Sequence, residues 1–182
     1  MNLKDSDFIR GDVPMTKFAI RSLIMAYMDI KENDRFLDIG AGTGSVSFEA
    51  ASRGAIVDAI ESNKEAVDLV RENMNNLNLK INLIEGFGPD NLDDKTYDKI
   101  FVGGSRGRIK EIVGFAYKNL SKGGIICASF VTLKNAGEFL EDLKKEGFSE
   151  VEVSLAQISN MDKLGLLRAE NPIFIIRGEK ND

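Results

Sequence analysis

The sequence predicts an α/β protein on a doubly wound, mostly parallel sheet, and three observations predict it. Short apolar, strand-like runs alternate with longer helix-periodic stretches through most of the chain. One run, Phe36-Leu37-Asp38-Ile39, passes through Gly40-Ala41-Gly42-Thr43-Gly44 straight into helix-like sequence. The last two strand-like runs have no helix between them, which implies an antiparallel addition. With 182 residues, 43% of them hydrophobic, the chain suits one domain over residues 1–182 with a full core.

Residues 1–14 are polar and are expected to lie over the surface. Val13-Pro14-Met15 leads into a helix with Thr16 as its N-cap; Phe18, Ile20, Leu23, Ile24 and Tyr27 recur at helical spacing, and Arg21 falls on the more polar side. Residues 30–34 turn into the first strand. After the glycines, Val46, Phe48, Ala50 and Ala51 suit a helix packed on the sheet. Residues 55–60 read as the second strand, with Glu61 at its carboxyl end. A helix from Lys64 to Leu77 turns Ala66, Leu69, Val70, Met74 and Leu77 inward. Residues 81–84 form a third strand, followed by the loop Glu85-Gly86-Phe87-Gly88-Pro89. Lys99–Val102 is the fourth strand and runs into Gly103-Gly104-Ser105-Arg106-Gly107. A helix from Arg108 to Leu120, a turn at Lys122-Gly123-Gly124 and a fifth strand, Ile125 to Val131, come next. Thr132 starts a helix that ends near Gly147. Val151–Leu155 alternates as a half-exposed strand, 159–169 reads as a polar loop, and Ile173–Ile176 is a buried last strand.

Composition removes whole classes of chemistry. There is no histidine, so Ser-His and Cys-His triads and most zinc sites are excluded, and proton transfer falls to carboxylate, Lys, Tyr, water or substrate. No metal ligand set is expected. Net charge is -5, from 24 basic and 29 acidic residues, which argues against a nucleic-acid partner. No apolar run is long enough for a membrane span, and the first residues lack a secretory h-region. The lone Cys127 sits in the apolar run 125–128, reads as a buried structural thiol and fits a reducing cytoplasm.

The glycine turn lets the backbone approach a ligand without Cβ atoms in the way, and the following helix N-terminus offers N–H groups to a carboxylate or phosphate. A dinucleotide fingerprint is G-x-G-x-x-G, whereas here the spacing is G-x-G-x-G with Asp38 two residues ahead. Glu61, 17 residues beyond Gly44, could accept both hydroxyls of a ribose, or cap the next helix with Ser62 and Asn63. Together these residues point to a nucleoside cofactor, with NAD still open.

Asp38 to Gly44 resembles the first motif of the class I S-adenosylmethionine (SAM) methyltransferases. That resemblance implies a seven-stranded sheet whose last strand inserts antiparallel between the fifth and sixth. It also puts the glycine loop on the methionine part of SAM, with the acid holding the loop and the amino group. Val13-Pro14-Met15-Thr16-Lys17, Arg21, Val102-Gly103-Gly104-Ser105 and Asn171-Pro172 extend the match. They resemble CbiT, the family of decarboxylating cobalt-precorrin methyltransferases in anaerobic cobalamin biosynthesis. The resemblance covers nearly the whole chain. It implies a cytoplasmic homotetramer that uses SAM to methylate C15 of a polycarboxylate tetrapyrrole, cobalt-precorrin-6B or its metal-free form, and removes the ring C acetate carboxyl. Any cobalt then arrives inside the macrocycle.

Carried over by residue, Thr16, Gly40, Ala41, Gly42, Thr43, Gly44, Glu61 and Gly88 fall on SAM contacts. The family usually has Asp at Glu61, and the longer acid keeps the chemistry. It often has Asp at Phe87; Phe87 cannot accept a bond from adenine's amino group but can pack on the ring. Arg106 stands where a small residue is common, and Ala19 where Glu is common.

On the substrate side, Gly103, Gly104, Ser105 and Arg106 are expected to face the transferred methyl, with exposed N–H groups for an acetate carboxylate. A carboxylate-rich substrate also calls for basic residues from among Arg10, Lys17, Arg21, Arg106, Arg108 and Arg168. No catalytic triad is expected, because the conjugated macrocycle can serve as nucleophile and electron sink. A methyltransferase of another small molecule or of protein carboxyl groups is the alternative. An amino-group methyltransferase would carry Asp/Asn-Pro-Pro-Tyr after the fourth strand, where this chain has Val102-Gly103-Gly104-Ser105.

Overall fold

The structure is a computed structural model, and it describes residues 3–181. A short 3-10 turn, Asp5–Asp7, precedes α1 (Phe18–Met28), β1 (Arg35–Ile39), α2 (Ser45–Ala51), β2 (Ile56–Glu61), α3 (Lys64–Leu77), β3 (Asn82–Glu85) and β4 (Tyr97–Val102). Then follow α4 (Ile109–Asn119), β5 (Leu120–Phe130), α5 (Leu133–Glu146), β6 (Ser149–Ala156), β7 (Ser159–Met161), β8 (Leu167–Ala169) and β9 (Ile173–Glu179). Seven strands make one sheet in the order β3-β2-β1-β4-β5-β9-β6. β1 to β5 pair in parallel, and β9 runs antiparallel to both β5 and β6. The strand order reverses between β1 and β4, so the loops leaving these two strands border a crevice.

Strand alternation divides the core between the two faces of the sheet. Leu37, Ile39, Ile100, Val102, Ile126 and Ala128 pack with Ile112, Val113, Phe139 and Leu143 of α4 and α5. Phe36, Val57, Phe101, Cys127 and Ile175 pack with Ile20, Ile24 and Met28 of α1 and Val46 of α2. Cys127 is fully buried, and burial pushes its thiol pKa up to about 12, so it is an inert core residue.

The best-marked helices carry their own punctuation. Asn63 caps α3, its Oδ1 accepting from the Glu65 amide at 2.9 Å, and Asn78 ends it in the left-handed region. Thr132 Oγ1 accepts from Asn135 N–H at the start of α5, and Gly147, at φ 95°, ends it. α1 departs from expectation: Lys17, not Thr16, is its N-cap, and no cap side chain bonds. Instead Asp5 Oδ1 accepts the Phe18 N–H at 2.8 Å, a partner thirteen residues away that local pattern cannot supply.

Two further expectations need correction. Residues 3–14 do not simply cover the surface: Phe8 is buried, with its ring centroid 6.4 Å from that of Phe48. Residues 1 and 2 of that stretch lie outside the described residues. The polar loop expected over 159–169 is a hairpin, β7 against β8, with Met161, Leu164, Leu166 and Leu167 all exposed.

Candidate active site

The site lies where the carboxyl ends of β1, β2, β4 and β5 meet. A cavity of about 590 Å³ and a smaller one of about 270 Å³ share Pro14, Gly40, Gly42 and Gly103 on their walls. The larger is lined by Met15, Thr16, Asp38, Ala41 and Thr43, with Phe130, Val131, Ile158 and Ile173 as an apolar wall. The smaller holds Glu61, Phe87, Gly88, Ser105 and Arg106. Nine of the ten sequence-predicted cofactor residues thus divide between two adjoining chambers; the tenth, Gly44, lines neither and is the N-cap of α2.

Glycine is needed in the loop for two different reasons. A Cβ on Gly40, at φ 74°, would lie 2.6 to 2.8 Å from the backbone of Gly104, so the two loops meet main chain to main chain. A Cβ on Gly44 would lie 2.7 Å from Phe48, a packing constraint at the root of a helix of only seven residues. The loop amides are mostly committed within the protein. Gly40 and Ala41 N–H donate to Ile60 O at 2.9 and 3.2 Å, and Gly42 N–H donates to Glu61 Oε2 at 2.9 Å. An anion seat made of freely offered loop amides is therefore not what the loop provides.

Asp38 is 1% exposed. Its Oδ2 accepts a 2.5 Å hydrogen bond from the Ser47 hydroxyl, while its Oδ1 has no partner. Burial pushes its pKa up to about 7; the Ser47 bond opposes that rise and the negative charge of Glu61 adds to it. Thr43 Oγ1 is also buried without a partner. A buried carboxylate oxygen and a hydroxyl left unbonded are costly by themselves, and the larger cavity offers room for a cationic, hydrogen-bonding ligand group beside them.

Glu61 serves the fold and the cavity together. Its Oε1 accepts the Ser62 and Asn63 amides at 2.8 Å each, the capping role the sequence allowed. Its Oε2 holds Gly42 and keeps one acceptor position for a ligand hydroxyl. Phe87 is half exposed, and the Arg106 guanidinium lies 5.7 Å over its ring.

The substrate-side expectations change most. Gly103 and Gly104 do not present free amides: both donate to Ile39 O, at 2.9 and 3.2 Å, tying β4's loop to β1's end. Gly104, Ser105 and Arg106 line the smaller cavity beside Glu61, and of these four loop residues Gly103 touches both chambers. Arg21 is not on a polar face. It is fully buried, with its Nε 3.3 Å from Glu49 and its Nη1 3.1 Å from Asp5, and it donates to the carbonyls of Thr16 and Leu3. Its charge is spent on holding the N-terminal segment to α2, so it is removed from the substrate-binding set. Among the other basic candidates, Arg108 is bidentate to Asp90, Arg168 pairs with Asp162, and Lys17 pairs with Glu170.

Sequence reasoning missed Ser47, which fixes Asp38, and the apolar wall Phe130, Val131 and Ile158. The wall was foreshadowed by the Thr132 cap, which marks the carboxyl end of β5. Nothing in the local sequence signalled Ser47.

A family model, the precorrin methyltransferase domain, matches residues 7–180. A probable cobalt-precorrin-6B C(15)-methyltransferase (decarboxylating) of Saccharolobus solfataricus is 36% identical, over 98% of this chain and 95% of its own. The cobalt-precorrin-6B C(15)-methyltransferase (decarboxylating) of Salmonella typhimurium is 33% identical, over 99% and 97%. The crystal structure of precorrin 8w decarboxylase from Methanobacterium thermoautotrophicum superposes with a TM-score of 0.91 at 31% identity, covering 97% of this chain and 98% of that one. Both the seven-stranded order with its inserted last strand and the near-complete match lead to one conclusion: the chain belongs to the precorrin methyltransferase family.

Proposed function

We propose that this protein is a SAM-dependent, decarboxylating C-methyltransferase of cobalamin biosynthesis that methylates C15 of cobalt-precorrin-6B and removes the ring C acetate carboxyl. The observation that carries the reading is the pair of acids, one in each of the two adjoining cavities. Asp38 has an unpartnered buried oxygen for an ammonium, and Glu61 has an acceptor for a ribose hydroxyl. Phe87 offers a ring face, in place of an acceptor, for adenine. When bound, SAM supplies an electrophilic methyl group.

The protein's part is placement and exclusion of water. Gly40, Gly42 and Gly103 let the backbone come close at the neck between the chambers, where the sulfonium end belongs. Phe130, Val131, Ile158 and Ile173 give the flat macrocycle an apolar face to lie on. An acetate carboxylate held against that face loses hydration, which favours release of its charge into the conjugated ring. The homotetramer that the resemblance implies is part of the proposal; the exposed Met161, Leu164, Leu166 and Leu167 are an apolar surface that association could bury, and light scattering measures it.

The direct test is incubation with cobalt-precorrin-6B and SAM, read by mass spectrometry. The expected product has gained a methyl group and lost carbon dioxide; a SAM-binding protein that leaves this substrate unchanged would sink the assignment.

SAM binding should also depend on pH in a stated direction. Asp38 must be ionised to hold an ammonium, and its pKa stands at about 7. Affinity should therefore weaken as pH falls below 7, by up to about tenfold per unit. Stability of the ligand-free protein should move the other way. A pKa raised from 3.8 to about 7 favours the folded state below 3.8, and that contribution is lost as pH rises through 7. Calorimetric titration of SAM across this range checks it, and Asp38→Asn should flatten the profile.

A further inference from the structure

We infer that Lys17 and Glu170 form an exchangeable clasp across the mouth of the larger cavity, in which Glu170 occupies the cation that a substrate carboxylate takes over. The inference rests on the proposed polycarboxylate substrate and adds what admits it.

Lys17 Nζ lies 2.6 Å from Glu170 Oε1. The two residues come from segments far apart in the chain: Lys17 precedes α1, and Glu170 lies between β8 and β9. Both line the larger cavity, and Lys17 is the one Lys or Arg among its lining residues. The carboxylates there are Asp38 and Glu170. A polyanion entering this chamber therefore finds one cation, already engaged. Glu170 is held in place from behind: its N–H donates to Ile158 O at 2.9 Å, and Asn160 Nδ2 donates to the same Oε1 at 3.1 Å.

The energetics favour exchange over permanence. The side chains are 53% and 29% exposed, and an ion pair of that kind contributes about 0–1 kcal/mol. Swapping one carboxylate for another on Lys17 keeps the ammonium paired, so the opening costs little. The swap also works as a filter. A ligand that brings no carboxylate to this point leaves the strap closed, and one that does must push Glu170, a like charge, out toward solvent. Asn160 can still hold the displaced side chain. Arg108 and Arg168, bound by their own carboxylates outside this cavity, offer no such exchange at its mouth.

The test uses the full-length protein and two readouts: quenching of uroporphyrin fluorescence as a binding probe, and KM and kcat with cobalt-precorrin-6B. Glu170→Gln should tighten probe binding and lower KM by about two- to fivefold, the worth of an exposed pair, with kcat nearly unchanged. Lys17→Met should weaken both by about tenfold, as loss of a charge-assisted bond does. In the Lys17→Met background, Glu170→Gln should give no further gain; with Lys17 present, Glu170→Asp should keep parental values. If Glu170→Gln leaves KM unchanged while the parent turns over, the clasp is wrong and the functional reading stands. The clasp is equally overturned if the gain persists without Lys17, because Glu170 would then act by general repulsion. A parent that neither binds the probe nor turns over the substrate removes the functional reading, and the clasp with it.

Discussion

Arg21→Met should destabilise the protein by about 3 kcal/mol, the low end of the cost of removing one partner of a buried ion pair. The group left under-compensated is Glu49, 2% exposed, whose Oε2 faces Arg21 Nε at 3.3 Å and which keeps, among the described residues, only Arg53 as a cationic partner, at 3.5 Å from its Oε1. The loss extends further because the same guanidinium holds the carbonyls of Leu3 and Thr16 and lies 5.0 Å from the Phe8 ring centroid. Release of Thr16 frees Val13 and Pro14, which line the smaller cavity, so SAM affinity should fall along with stability. Urea unfolding gives the first effect and calorimetry the second. Adding Glu49→Gln should recover part of the loss by removing a buried charge left to Arg53 to compensate. A single variant within about 1 kcal/mol of the parent would mean that the N-terminal segment is held by packing alone.

The second large effect is expected at Gly40. Gly40→Ala places a methyl group 2.6 Å from Gly104 O and 2.7 Å from Gly104 N, at a φ of 74°. Neither contact is with a flexible side chain, so both loops must shift. Steric overlap and left-handed strain together should cost about 2–5 kcal/mol and separate the walls of both cavities. Two neighbours isolate the cause. Gly42→Ala keeps the strained φ, 57°, but its Cβ comes no closer than 3.5 Å to Pro14 O, so it should fold with a cost of about 1 kcal/mol. At Gly104 the nearest atom is 3.8 Å away and φ lies outside the left-handed range, so Gly104→Ala should be nearly neutral for folding. Equal stability of the Gly40 and Gly104 variants would remove the interlocked-loop explanation.

These two residues also mark what the sequence could and could not express. The glycine spacing, with Asp38 ahead of it and Glu61 at the end of the next strand, was legible because a single βαβ unit brings those residues together. α3 was legible to the residue and α5 nearly so, because caps and left-handed terminators lie next to them. Arg21 was misplaced because its partners, Asp5 and Glu49, come from either side of it in the chain and not from its own helix. The Gly103 and Gly104 amides were misassigned because their acceptor, Ile39 O, is on another strand. The β7–β8 hairpin escaped notice because neither of its strands buries a face, so no alternating pattern was written into it. The place of the last strand came from the family resemblance; composition and periodicity are the same wherever β9 inserts.

That insertion constrains the order in which the protein can assemble on the ribosome. β9 sits between β5 and β6, so the neighbour that both strands require is translated after them. Until residues 173–179 emerge, β5 and β6 each present an open row of amides and carbonyls, and Ile173, part of the cavity's apolar wall, is missing. The parallel half, β1 to β4, can pair as it is made, whereas the antiparallel half must wait and close by long-range contacts. The nascent chain can thus form the walls of the smaller cavity first, and the apolar wall of the larger one is completed only once β9 has been made.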